Sequence, residues 1–126
     1  MKKCFLTQKG PKAIGPYSAA NICGSLCFVS GMLGIDPATG KLAEGGAEAQ
    51  AQQALNNIKT VLTELDLTTD AVVKTTVFLK DLSDFGKINA IYGDFFGANY
   101  PARSCVDVAR LPMDALVEME VIASFE

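Results

Sequence analysis

The 126-residue chain contains no histidine. Ser-His-Asp triads, Cys-His pairs and His-ligated metals are therefore excluded, and any catalysis must run on carboxylates, thiols, hydroxyls, Arg, Lys or backbone groups. Arg103 follows Tyr100-Pro101-Ala102 and starts a strand just after a turn. Its planar fork suits either a bidentate grip on a small carboxylate or a salt bridge at a surface or interface. Glu118 and Glu120 are two apart, which on a strand puts both on one face. In a partly desolvated pocket such a carboxyl has its pKa pushed up and shuttles protons for water; in the open it is a solvated edge or half of an ion pair. Cys105 has no histidine base, and Arg103 is the one cation near it in sequence. It reads as a wall of a site and a source of backbone hydrogen bonds rather than as an attacking thiol. Asn89 lies on the helical face of Phe85 and Tyr92, where a packing amide is the plain alternative to a ligand. Tyr17, after Gly15-Pro16, carries a ring and hydroxyl on a turn, for packing or for binding.

The elements that must position these residues follow from periodicity. Lys3 to Leu6 reads as a short first strand. Ala19 to Ile22 and Leu26 to Ser30 flank Cys23-Gly24-Ser25, a Gly-centred hairpin turn. Asp36 to Lys41 is a turn and surface loop, marked by Pro37 and Gly40. From Glu48 to Leu65 the residues Ala51, Ala54, Leu55, Ile58, Val61, Leu62 and Leu65 recur every three or four positions. That predicts an amphipathic helix, with Gln50, Gln53, Asn57 and Glu64 toward solvent. Val72 to Lys80 is a β-branched strand with Val73, Thr75, Val77 and Leu79 on one side. Ser83 is the expected N-cap of a second helix striped by Phe85, Ile88, Tyr92, Phe95 and Phe96 and ended by Gly97. Arg103 to Ala109 and Ala115 to Phe125 form two last strands joined by Arg110 to Asp114. In these strands Val106 and Val108, and Val117, Met119, Val121, Ala123 and Phe125, form apolar rows. If both rows meet the helices, Arg103, Cys105, Asp107, Glu118 and Glu120 share the opposite face. A half-apolar second face predicts self-association through it.

Composition fits one soluble domain: 49% of residues are hydrophobic and 20% charged. Eleven Lys and Arg against fourteen Asp and Glu give a net charge of −3, and only Arg103 and Arg110 are arginines, which speaks against nucleic-acid binding. Cys4, Cys23, Cys27 and Cys105 form no CxxC, so free, mostly buried thiols in a reducing cytosol are expected rather than a zinc site. The apolar run after Met1-Lys2-Lys3 is too short for a signal peptide. The uncharged stretch Ala13 to Ile35 is broken by Gly15-Pro16, Asn21, Gly24-Ser25 and Ser30-Gly31, so no membrane span and a cytoplasmic location are expected. There is no phosphate-binding glycine motif and no acidic calcium loop.

The chain resembles the RidA family, also called YjgF, over essentially its whole length. The resemblance rests on Ala13-Ile14-Gly15-Pro16-Tyr17-Ser18, Val29-Ser30-Gly31, Val73 to Leu82, the run Pro101 to Pro112 (PARSCVDVARLP) and Val117-Glu118-Met119. It implies a single domain, residues 1–126, with an α+β, chorismate-mutase-like fold: a six-stranded mixed sheet with two helices on one face. It further implies a homotrimer with barrel-like sheet packing, three sites at subunit interfaces, and cofactor-free, metal-free hydrolysis of reactive enamines and imines such as 2-aminoacrylate to 2-oxo acids and ammonia. By position Arg103 matches the carboxylate-binding arginine and Glu118 the acid that positions water; Tyr17, Ser30, Gly31, Asn89 and Cys105 match substrate-binding positions. Glu120 has no role in the motif. The link Gly97 to Tyr100 is shorter than in many members and alters one pocket wall. Two alternatives stand beside this reading. One is a non-catalytic sensor of small carboxylic acids, which needs Arg103 equally. The other is the ribonuclease or translation-inhibitor activity ascribed to some members, against which the charge speaks.

Overall fold

A computed structural model describes all residues, 1–126. The elements in chain order are β1 (Lys3–Phe5), β2 (Ala20–Cys23), β3 (Leu26–Leu33), β4 (Ile35–Asp36), β5 (Lys41–Leu42), α1 (Gly46–Glu64), β6 (Val72–Leu79), α2 (Phe85–Phe96), β7 (Ala102–Asp107) and β8 (Val117–Ser124). Six strands make one mixed sheet in the order β1-β2-β3-β8-β6-β7, and β4 and β5 form a separate small hairpin around the expected loop. All neighbours are antiparallel except β6 and β7, which α2 joins as a parallel pair. The architecture is α+β, with α1 and α2 on one face of the sheet.

Between helices and sheet lies the main core. Helix α1 contributes Ala51, Leu55, Ile58, Val61 and Leu62, α2 contributes Ile88, Tyr92 and Phe96, and β8 contributes Val117, Met119, Val121 and Ala123. Both helices carry the expected apolar stripes, and α2 ends at Gly97 with φ 67°. A second, smaller cluster of Leu33, Ile35, Leu111 and Ala115, with Phe78 against it, covers one end of the sheet's other face.

Four local expectations are corrected. Gln50 and Asn57 are buried, not solvated. Asn57 Nδ2 donates to the carbonyls of Leu33 and Ile35, at 3.2 and 2.8 Å, and Gln50 Oε1 accepts from the Leu116 amide at 2.8 Å. These amides tie α1 to the backbone at the end of β3, the start of β4 and the approach to β8. Val73 leaves the core row and is 47% exposed, because β6 bulges between Val72 and Lys74. Ser83 does not cap α2. Asp81 accepts from the Ser83 amide at 2.9 Å and caps a short 3-10 turn that leads into the helix. Of the four free thiols only Cys27 is buried; Cys4 on the edge strand and Cys23 at the hairpin turn are exposed, and Cys105 is half-buried.

The largest correction concerns β7. Its register sets Arg103 beside Thr75, Cys105 beside Val77 and Asp107 beside Leu79. Thr75, Val77 and Leu79 form the buried row under the helices, so Arg103 and Cys105 lie on the helix face. Val106 points the other way and is 46% exposed. Glu118 and Glu120 pair with Phe78 and Thr76 on the open face, as expected. One chain thus carries its two leading candidates on opposite sides of one sheet.

Candidate functional site

Seven sequence-predicted residues gather in two groups. The first is built by β7 and α2. Phe85, Asn89 and Tyr92 occupy i, i+4 and i+7 of the helix and present one face to the start of β7. Arg103 Nη1 donates to Asn89 Oδ1 at 2.7 Å. The guanidinium carbon lies 4.7 Å from the Tyr92 ring centroid and 5.4 Å from that of Phe85. Tyr92 is held in turn by a buried 2.6 Å hydrogen bond between its hydroxyl and Thr75 Oγ1. Flat guanidinium, stacked rings and an amide clamp fix the fork while leaving most of its N–H groups unused. The protein's one ion pair is the exposed Arg110–Asp114 contact, so Arg103 carries no carboxylate partner from its own chain. A cleft lined by Asn89, Tyr92, Gly93, Tyr100, Pro101 and Arg103 opens beside it. Cys105, two residues on, packs against the core. Burial pushes its thiol pKa up, and the nearby Arg103 charge opposes this only in part. Such a thiol is protonated at neutral pH and a poor nucleophile.

The second group is built by β3 and β8. Val29 faces Val121 and Met32 faces Met119, so Ser30 and Gly31 together oppose the single residue Glu120. This β-bulge turns both residues out of the ladder beside Glu118. A Cβ on Gly31 would stand 2.9 Å from Glu118 Oε2 and 3.0 Å from its Cδ, so a side chain there would push the carboxylate out of its place. Ser30 Oγ donates to the Ser18 carbonyl at 2.6 Å and its amide to that of Ala19 at 2.9 Å, anchoring the segment that carries Tyr17. Glu118, flanked on neighbouring strands by Leu33 and Phe78, has its pKa raised, first by burial and second by the like charge of Glu120. Around it lies a cleft of about 330 Å³ whose walls include Ile14, Tyr17, Gly31, Leu33, Ile35 and Pro112.

Sequence reasoning named the members of both groups but set Arg103 and Cys105 on the face of Glu118, and so missed that the groups are two. It also missed Phe85 and Tyr92 as supports of Arg103, although their spacing around Asn89 carried the signal. The apolar walls Leu33, Ile35 and Pro112 had no such signal, since strand and loop residues from distant positions converge there. No set of three or more Cys, Asp or Glu side chains converges in a way that would hold a metal ion, and no helix is long and apolar enough to cross a membrane.

Sheet, helices and clefts define an α+β protein with an arginine-centred cleft and a glutamate-centred cleft on opposite faces of one sheet. The profile of the family described as Endoribonuclease L-PSP matches residues 7–125. The 2-iminobutanoate/2-iminopropanoate deaminase of Salmonella typhimurium is 48% identical, covering 98% of each protein. The RutC family protein UK114 of Drosophila melanogaster is 49% identical, covering 98% of this chain and 89% of that one. Among solved structures, Escherichia coli TdcF with bound serine superposes with a TM-score of 0.91 at 42% identity, covering 97% of this chain and 98% of that one. The chain belongs to the RidA, or YjgF, family.

Proposed function

We propose that the protein hydrolyses reactive 2-imino acids and their enamine tautomers, including 2-aminoacrylate, to 2-oxo acids and ammonia without a cofactor. The observation that carries this reading is the clamped, carboxylate-free Arg103 on one face and the desolvated Glu118 in a cleft on the other. The Salmonella relative is named for this reaction. The bound serine of the TdcF structure carries the same α-carboxylate that a 2-imino acid would offer.

Because a single sheet divides the two halves, the working site joins Arg103 of one copy to Glu118 of another. Unlike halves meet head to tail, and such contacts stay finite only when they close into a ring; a homotrimer with three shared sites is that ring. The exposed Phe28 and Val106 on the open face, 43% and 46% accessible in the single chain, support its burial between copies.

An imine carbon is already electrophilic, so the protein has to supply orientation and proton traffic. Arg103 grips the carboxylate. Glu118, ionised, takes a proton from a water as the oxygen adds to C2 and passes it to the imine nitrogen; it then carries the proton of the resulting C2 hydroxyl to the same nitrogen as the C=O forms, the C–N bond breaks and ammonia leaves. Tyr17, Ser30, Gly31, Asn89 and Cys105 border the bound molecule, and the reaction takes place in the cytoplasm, where pyridoxal-phosphate dehydratases release such imines.

The test generates 2-aminoacrylate and a panel of other imino acids enzymatically and measures ammonia release against the uncatalysed rate. Wild-type protein accelerates it and Cys105→Ala retains substantial activity. Arg103→Ala loses about 10³-fold in kcat/KM with the assembly intact, and Glu118→Gln binds small carboxylates without turnover. An unaccelerated rate with tight carboxylate binding would establish a sensor in place of an enzyme.

A further inference from the structure

The cleft around Glu118 has one wall that the sheet does not build. Residues 11–14 and Tyr17 belong to the long connection between β1 and β2, and they close the cleft over Ser30, Gly31 and Glu118. From Gln8 to Ile14 this strap makes no backbone-to-backbone hydrogen bond to another element. Open space separates it from the β4–β5 hairpin, where Thr7 to Ile14 face Pro37 to Gly40 across a second cleft. Its far end is tied to the sheet through Ser30, whose hydroxyl holds the Ser18 carbonyl.

The near end is tied to something else. Glu64, the last residue of α1, accepts a short hydrogen bond from Thr7 Oγ1 on one oxygen and a 2.8 Å bond from the Gln8 amide on the other. Thr7 Oγ1 itself accepts from the Gly10 amide at 2.9 Å. Gly10 is buried, and a Cβ there would stand 2.8 Å from that same oxygen, so the chain turns tightly around the Thr7 side chain before entering the cleft wall at Pro11. Both carboxylate oxygens are engaged, and charge-assisted bonds are the stronger kind. Pro11 follows at once and stiffens the chain between the knot and the wall.

We infer that Glu64 is a positioning residue of the active site: through Thr7 and Gly10 it latches the strap that closes the Glu118 cleft, and so sets how tightly the cleft holds its substrate. This rests on the reading of that cleft as the deaminase site. Glu64 touches neither Glu118 nor the cleft, and its influence passes wholly through the strap. Strap closure is a binding event shared by ground and transition states, so loss of the latch raises KM and leaves kcat nearly unchanged.

The experiment compares wild type with Glu64→Ala, Thr7→Val and Thr7→Ser in the assembled protein. Steady-state kinetics on 2-aminoacrylate and hydrogen exchange of residues 7–17 are both followed. Glu64→Ala and Thr7→Val each raise KM about tenfold with kcat within about twofold, and each speeds exchange in the strap while α1 stays protected. Thr7→Ser, which keeps the hydroxyl, retains wild-type KM and exchange. The double variant Glu64→Ala/Thr7→Val is no worse than either single one, because the latch is already open. A lowered Tm with unchanged KM and unchanged strap exchange would reduce Glu64 to a purely structural residue and overturn the inference. If wild-type protein turned over no imino acid, the functional reading would fall, and the exchange comparison would still decide whether Glu64 holds the strap.

Discussion

Burial between Leu33 and Phe78 and the like charge of Glu120 both favour the protonated form of Glu118. Its native pKa lies above its unfolded value, so the stability linked to this group is full below the ordinary glutamate range and is lost as pH rises through the raised native value. Glu118→Gln removes that loss. In the dissociated chain the variant melts higher than wild type at pH 7, and the gap closes near pH 4, which thermal unfolding scans below the assembly threshold would read. The burial that suits Glu118 to the proposed role of base is thus the burial that makes it a burden on the fold. The same group sets the acid limb of kcat/KM. Glu120→Gln takes away the second cause of the shift and moves that limb to lower pH with little change in the plateau. A limb that stayed in place would show that Glu118 does not feel Glu120.

At the scale of elements, α1 is fastened to the sheet by amides as well as by its apolar stripe. Asn57→Ala strips hydrogen bonds from two carbonyls between β3 and β4 and opens a void. It costs about 3 kcal/mol, read as a lower denaturant midpoint with an unchanged slope. Periodicity alone placed both helices, the hairpin and the last two strands within a few residues, because those patterns are local. Asn57 and Gln50 defeated it because their carbonyl and amide partners lie 22 to 66 residues away in sequence. The face of Arg103 defeated it for a different reason. Val106 and Val108 imitate a core row, but which side of β7 meets the helices is decided by the parallel register with β6 across the α2 crossover. Nothing within β7 itself records that register. The residue types of the candidate site were legible, and its division between two faces was not.

For the whole molecule, the division has a direct reading in mixed assemblies. Arg103→Ala and Glu118→Gln, each inactive alone, are unfolded together and reassembled. In a ring where every site takes its arginine from one copy and its glutamate from the next, random mixing leaves about a quarter of the sites with both residues intact. Activity returning to about a quarter of wild type is the expected outcome, and no recovery would place both residues of a site on one chain. The exposed apolar residues Phe28 and Val106 fit the same picture, since a ring that hides them protects the chain from less specific association. A site split by the thickness of one sheet also makes catalysis a property of protein concentration. Under the proposed function, a chain without its neighbours has no activity of its own. The expected outcome is that specific activity falls steeply on dilution below the assembly threshold, so that turnover is lost abruptly rather than in proportion to the protein present.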